Sequence, residues 1–202
     1  MSLFTFVKDL RTIRKALMIS CILFVGGIVI GWIGTASLEK MLLQQLEGLS
    51  EISSNLKESS NPMLSFFIFI FLNNSIKGVL MIFLGALFGI IPALFLLING
   101  AVIGYLVHTS SIHGQDIFNL IVKGLLPHGI IEIPAIIIAC AYGLHFGSKV
   151  ASRIFRPSIR GIRREAEWPV FMRQILTASV WIVILLFIAA IIESTITFSF
   201  LS

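Results

Sequence analysis

Long apolar runs separated by short polar segments dominate this sequence. Apolar residues extend from about Leu17 to Thr35, almost without interruption from Met63 to Thr109, from Ile117 to Gly147, and from about Ile175 to Phe198. A helix needs about 20 predominantly apolar residues to cross the hydrocarbon core of a bilayer. The pattern therefore predicts an all-α, polytopic transmembrane helical bundle with about five spans.

The second apolar run contains polar residues that divide it. Residues 73–75 (Asn-Asn-Ser) and Lys77 separate off a piece from Met63 to Leu72, which is about ten residues long and too short to cross as a helix. We expect this piece to form a re-entrant or interfacial half-helix. A span over about Ser75 to Ile90 is expected to follow.

Two further interruptions set the next boundaries. The segment Gly89-Ile-Ile-Pro92 predicts a bend, and a third span follows over about Ala93 to His108. Pro127-His128-Gly129 then separates a second short piece, Ile117 to Leu126, from a fourth span over about Gly129 to Phe146. The prediction is thus five spans plus two re-entrant or interfacial half-helices, with the fifth span over the last apolar run.

Charge predicts how the chain is oriented. Residues 1–15 form a basic amphipathic segment, residues 148–173 hold the strongest positive block, and residues 37–62 are polar and net acidic. Basic loops are retained on the cytoplasmic side. Four crossings separate the two basic segments, so we expect both to be cytoplasmic, with the acidic loop and the C-terminus outside. The rest of the chain, residues 16–202, is expected to be a single transmembrane domain in the cell membrane.

Composition narrows the classes of function. Hydrophobic residues make up 57% of the chain and charged residues only 12%, about half the charged share of a soluble domain. No room remains for a separate catalytic domain. The net charge of +5 comes from clusters that flank apolar runs, which favours anionic lipid head groups over nucleic acid as partners. Cys21 and Cys140 lie inside apolar runs and are expected to be free thiols.

Six polar residues inside the apolar runs are candidates for a functional or purely structural cluster. Ionisable residues are costly inside a membrane and frequently mark function. Asn73 and Lys77 are four residues apart, as are His128 and Glu132, so each pair lies on one face of its helix. We expect Lys77 and Glu132 to face each other and neutralise one another. The cluster comprises Asn73, Asn74, Lys77, Asn99, His128 and Glu132.

Catalysis, cofactors and metal ions are not predicted. His128 and Glu132 are four residues apart and could supply two metal ligands, but a metal site needs three or four that converge. An intramembrane metalloenzyme is therefore a minor alternative. No nucleophile lies beside a base in a recognisable arrangement.

Small residues spaced by four predict close helix packing, as in Gly27 and Gly31. Such pairs indicate a compact bundle and could also provide a face for homo-oligomers. The predicted helix-packing or helix-breaking positions are Gly85, Gly89, Gly100, Gly104, Pro127, Gly129, Gly143 and Gly147.

Several of these motifs together resemble the stage II sporulation protein M family of membrane proteins. The resemblance rests on Phe71-Leu-Asn-Asn74, Gly85-Ala-Leu-Phe-Gly89, Leu97-Ile-Asn-Gly100, Leu126-Pro-His-Gly-Ile-Ile-Glu132 and the segment from Ala139 to Gly147. It implies a protein of five to six spans. In spore-forming bacteria the namesake is a scaffold that holds peptidoglycan-degrading enzymes at the septum, whereas many relatives occur in organisms that make no spores.

Two functions remain open at this stage. The first expectation is a non-enzymatic scaffold or assembly factor for membrane-associated protein partners, with partner surfaces on residues 37–61 and 149–173. The alternative is a transporter or channel for a small solute or ion, with a path between the second and fourth spans past the polar cluster.

Overall fold

Every regular secondary-structure element in the described residues is a helix. A computed structural model describes residues 2–34, 40, 43–44, 48, 52–114, 116, 126–155 and 161–201, without the side chains of residues 126–128, 161–167 and 196–201. No strand occurs in these ranges. The helices are α1 (Leu3–Thr12), α2 (Arg14–Ile33), α3 (Pro62–Leu84), α4 (Ile90–Ile112), α5 (Leu126–Phe155) and α6 (Gly161–Leu201).

Five helices contain a segment that is long and apolar enough to cross a membrane. These segments are Arg14–Ile33, Pro62–Leu84, Ile90–Ile112, Gly129–Phe155 and Trp168–Thr195. The predicted all-α bundle with five spans is confirmed.

The expected half-helix at residues 63–72 is wrong. Those residues belong to α3, which runs without interruption over 23 residues, from Pro62 to Leu84. Polar side chains do not break a helix whose backbone hydrogen bonds are intact, and Asn73 Nδ2 also donates to Asn74 Oδ1 at 3.2 Å. The second expected half-helix, residues 117–126, lies outside the described residues except for Leu126. Most of residues 37–51, the first part of the acidic segment 37–62, also lie outside them.

The bend predicted near Gly89 is present. Residues 85–89 form a turn between α3 and α4, and Gly89 has a φ of 76°. Glycine adopts this left-handed conformation without the steric cost that a Cβ brings. A Cβ on Gly85 would overlap the backbone of Gly143, and one on Gly147 would overlap the backbone of Gly89. The turn is therefore packed directly on α5.

Helices α2 and α4 pack along a seam of glycines. A Cβ on Gly27 would overlap the carbonyl oxygen of Leu97, and one on Gly31 would overlap that of Ala101. Gly100 and Gly104 approach the backbone of α2 in the same way. The contacting residue numbers rise together, so the two helices are parallel, as expected for helices separated by one intervening crossing.

Helix α5 lies at the centre of the bundle. Its Tyr142 belongs to an apolar cluster shared with α1, α2, α3 and α6, and its Cys140 belongs to a second cluster shared with α2, α3 and α4. Both side chains are almost fully buried. A third cluster, which includes Phe66, Ile70 and Ala190, joins α3 to α6. Residues of α5 are thus placed to meet groups from either half of the bundle.

Helix α1 is amphipathic, as the sequence predicts, and its Phe6 is buried in the bundle, whereas Leu3, Phe4 and Val7 are exposed. The Phe6 ring stacks on the rings of Tyr142 and Trp181 at centroid distances of 6.5 and 6.1 Å. Asp9 Oδ1 accepts a hydrogen bond of 3.0 Å from Gln174 Nε2. These contacts hold α1 beside the start of the α6 span, so the basic side chains of α1 lie at the same end of the bundle as Arg173.

Candidate functional site

Two carboxyl groups from different helices meet inside the bundle. The side chain of Glu132 on α5 shares a hydrogen bond with that of Glu193 on α6. Both residues are half-buried and both lie within candidate membrane spans. A hydrogen bond between two carboxyl groups requires a proton on one of them. The two carboxyl groups are therefore placed to share a proton.

Lys77 on α3 supplies a positive charge close to this pair. It is near enough to Glu132 to interact with it electrostatically, although its own side chain is exposed on the surface of the bundle. A helical side chain leans toward the N-terminus of its helix, which directs Lys77 over the turn that carries Asn73 and Asn74. The expected neutralisation of Glu132 by Lys77 stays a prediction.

The register between α3 and α5 places the asparagine pair at the level of Glu132. Ile136 Cδ1 lies 3.9 Å from the position that a Cβ on Gly78 would take, and the two helices run parallel. Asn74 precedes Gly78 by four residues, as Glu132 precedes Ile136. Asn73 and Asn74 are half-buried and bonded to each other.

Asn99 approaches Glu132 from the opposite side, through a cavity. This space of about 180 Å³ lies between α2, α4 and α5 and is lined by Phe24, Asn99, Gly129 and Glu132 together with apolar side chains. The Asn99 amide nitrogen donates to the Phe95 carbonyl oxygen at 2.7 Å. Glu132 thus lines a largely apolar cavity together with Asn99 and also meets the Glu193 carboxyl.

The Pro127-His128-Gly129 segment lies in the first turns of α5. A proline is tolerated there because the first N–H groups of a helix have no partner within the helix. His128 is one turn before Glu132 along α5, and its side chain lies outside the described part of the chain.

Glu193 was not anticipated from the sequence. It is the single acidic residue within the span Trp168–Thr195. This feature of the sequence could have identified it as a candidate site residue. An acid alone in a span is a candidate in its own right. Within the described residues, no group of three or more His, Cys, Asp or Glu side chains could hold a metal ion.

The five apolar helices and the carboxyl pair between them define a multi-pass membrane protein with a polar intramembrane site. The family model for stage II sporulation protein M matches residues 20–198. The chain therefore belongs to the stage II sporulation protein M family. The predicted family resemblance is confirmed.

Two relatives from Methanocaldococcus jannaschii are similar to this chain, and both are uncharacterized proteins. One is 28% identical over 184 residues, which cover 90% of this chain and 93% of the relative. The other is 30% identical over 115 residues, covering 57% of this chain and 50% of the relative. No solved structure matches the chain.

Proposed function

We propose that this chain is a non-enzymatic transporter that moves a proton or another small cation across the cell membrane, with Glu132 and Glu193 as its binding groups. The hydrogen bond between these two carboxyl groups is the observation that carries the proposal. Two carboxyl groups in contact can share a proton, and when both are ionised their oxygens can accept a cation. Carboxyl groups inside spans recur in proton relays and ion pathways.

The surroundings of the pair support the same proposal. The cavity beside Asn99 and Glu132 could hold a small hydrated ion. In a protein that serves only as a scaffold, a buried carboxyl pair would cost desolvation energy without contributing to function. Lys77 is near enough to Glu132 to interact with it electrostatically, and we expect it to offset negative charge on the pair when no cation is bound. The orientation that we propose puts the basic end, with the N-terminus, in the cytoplasm and the C-terminus outside.

Flux through purified protein in liposomes tests this function. A trapped pH-sensitive dye would follow proton movement, with gradients of Na⁺, K⁺ and Mg²⁺ imposed in parallel. We expect Glu132→Gln to lower the flux by at least about tenfold, since the amide cannot exchange a proton. Glu193→Gln is expected to act in the same direction.

Glu58→Gln is the matched control, because Glu58 is exposed and lies before the α3 span. It should leave the flux unchanged. Wild-type protein that carries none of the four ions would refute the transport proposal, as would equal flux in wild type and Glu132→Gln.

A scaffold or assembly role is the second candidate. It is favoured by the exposed basic side chains gathered at one end from three helices, among them Arg11, Lys149 and Arg173. Such a surface suits acidic partners that bind at the membrane. Cross-linking from Arg11→Cys and Arg173→Cys in native membranes, with Ser60→Cys as the control at the opposite end, would capture a partner only at the basic end. The same cross-links at Ser60 would argue against a docking surface there.

A further inference from the structure

A second pocket lies at the basic end of the bundle, away from the carboxyl pair. It has a volume of about 310 Å³ and opens between α5 and α6. Its nearest lining residue on α5 is 13 positions beyond Glu132, about 20 Å along the helix. The pocket is lined by His145, Ser148, Lys149, Ser152, Arg153 and Trp168, with Phe171 behind them.

The polar lining groups suit an anion. Lys149 and Arg153 bring two positive charges, and Ser148 and Ser152 bring hydroxyl groups, all from one face of α5. No carboxyl group is among the described side chains that line the pocket. Guanidinium and ammonium groups with hydroxyl donors are the groups that bind phosphate oxygens in proteins.

Aromatic packing fixes the shape of this pocket. The Arg153 guanidinium carbon lies 5.4 Å from the centroid of the Trp168 ring, which is within range of a cation–π interaction. The Trp168 and Phe171 ring centroids are 5.5 Å apart, and Phe171 is buried. Arg153 is thus held over a supported ring, so less side-chain entropy is lost when it binds a ligand.

The position along the spans is where phosphates of a bilayer lie. Trp168 begins the span Trp168–Thr195, while Lys149 and Arg153 lie in the last two turns of Gly129–Phe155. Tryptophan and basic side chains are enriched at the level of the head groups. We propose that this pocket binds a phosphate group, supplied either by an anionic lipid head group or by a soluble phosphate ester.

Binding to the purified full-length protein tests the proposal. The probes are phosphatidic acid and phosphatidylglycerol, added to protein in a neutral detergent and quantified by native mass spectrometry. Lys149→Gln with Arg153→Gln is expected to weaken binding by roughly tenfold or more, because both charge-assisted contacts from the pocket to the phosphate oxygens are lost.

Lys8→Gln with Arg11→Gln is the matched control. Both residues are exposed on α1 at the same end of the bundle, and the pair of changes removes the same charge outside the pocket. Its lipid affinity should stay within about twofold of wild type if the pocket carries the binding. Thermal unfolding of both double variants verifies that the exposed substitutions leave the bundle folded.

Competition identifies the source of the phosphate. Displacement of the lipid by millimolar inorganic phosphate or glycerol 3-phosphate assigns the pocket to soluble phosphate esters, whereas retention of the lipid assigns it to a head group. The proposal is overturned if wild type binds none of these probes. It is also overturned if the pocket variant binds as wild type does, or if both double variants lose affinity equally.

Discussion

Alanine substitutions at two neighbouring glycines of α2 should have opposite effects on stability. Gly27 lies in the seam with α4, where an added Cβ would stand 3.0 Å from the Leu97 Cα and overlap the Leu97 carbonyl oxygen. Gly26 has nothing within 4 Å of the same position. Both substitutions make the same chemical change one residue apart, so their difference isolates the helix contact.

The magnitude follows from two opposing terms. Alanine is favoured over glycine inside a helix by about 1 kcal/mol, a gain available to both variants. At Gly27 the obstruction is backbone rather than a movable side chain, so α2 and α4 must separate. Overpacking of this kind costs typically about 1–3 kcal/mol, and occasionally more. Because two backbones must separate, we take the upper end of this cost, about 3 kcal/mol. We therefore expect Gly27→Ala to lower the free energy of unfolding by about 2 kcal/mol and Gly26→Ala to raise it by up to about 1 kcal/mol.

Cys140 provides the assay, because its side chain is fully buried. In a Cys21→Ser background, a thiol-reactive fluorogenic dye would react with Cys140 only when the bundle opens. For a chain of this size 1 kcal/mol corresponds to about 2–4 °C in Tm, so the Gly27→Ala transition should fall by roughly 4–8 °C. Equal shifts for the two variants would refute the packing geometry of the seam.

Three further predictions concern the turn, α1 and the orientation. Gly89→Ala should cost about 1–2 kcal/mol in the same assay, because its φ of 76° is strained for alanine; an unchanged Tm would contradict this. Burial raises the pKa of Asp9, so the folded state binds the proton more tightly and stability should fall as the pH rises through the folded-state pKa. Asp9→Asn keeps the acceptor for Gln174 and should abolish that dependence in pH-resolved melting curves, which an unaltered pH profile would contradict. In intact cells, a membrane-impermeant maleimide should label Ser60→Cys and should label Ser2→Cys only after permeabilisation; the reverse pattern would overturn the proposed orientation.

Much of the fold could be predicted from the positions at which apolar segments begin and end. The bend at Gly89 could be predicted because glycine and proline affect the backbone directly. Asn73 and Asn74 misled the prediction, because their amides bond to each other and leave the α3 backbone intact. Polarity alone therefore does not end a helix inside a bundle.

The candidate site was predicted only in part, because helix pairing is a tertiary property. The glycine spacing predicted close helix contacts but not which helices make them. In the structure α2 packs against α4, and Gly143 on α5 packs against the turn after α3. Glu132 was singled out from its motif. Glu193 was missed because its contact with Glu132 depends on the rotation of α6 about its axis, which decides which of its side chains face α5.

The contact between α1 and α6 also has a consequence for the order of assembly. Phe6 is only 4% exposed, and Trp181 and Gln174 supply part of its surroundings and those of Asp9. During synthesis these contacts can form only after residues about 170 positions further along the sequence have been made. Until α6 emerges and inserts, the apolar face of α1 is left to the lipid surface. Docking of α1 would therefore be a late event in biogenesis, and a chain stopped before α6 should expose α1 to proteases.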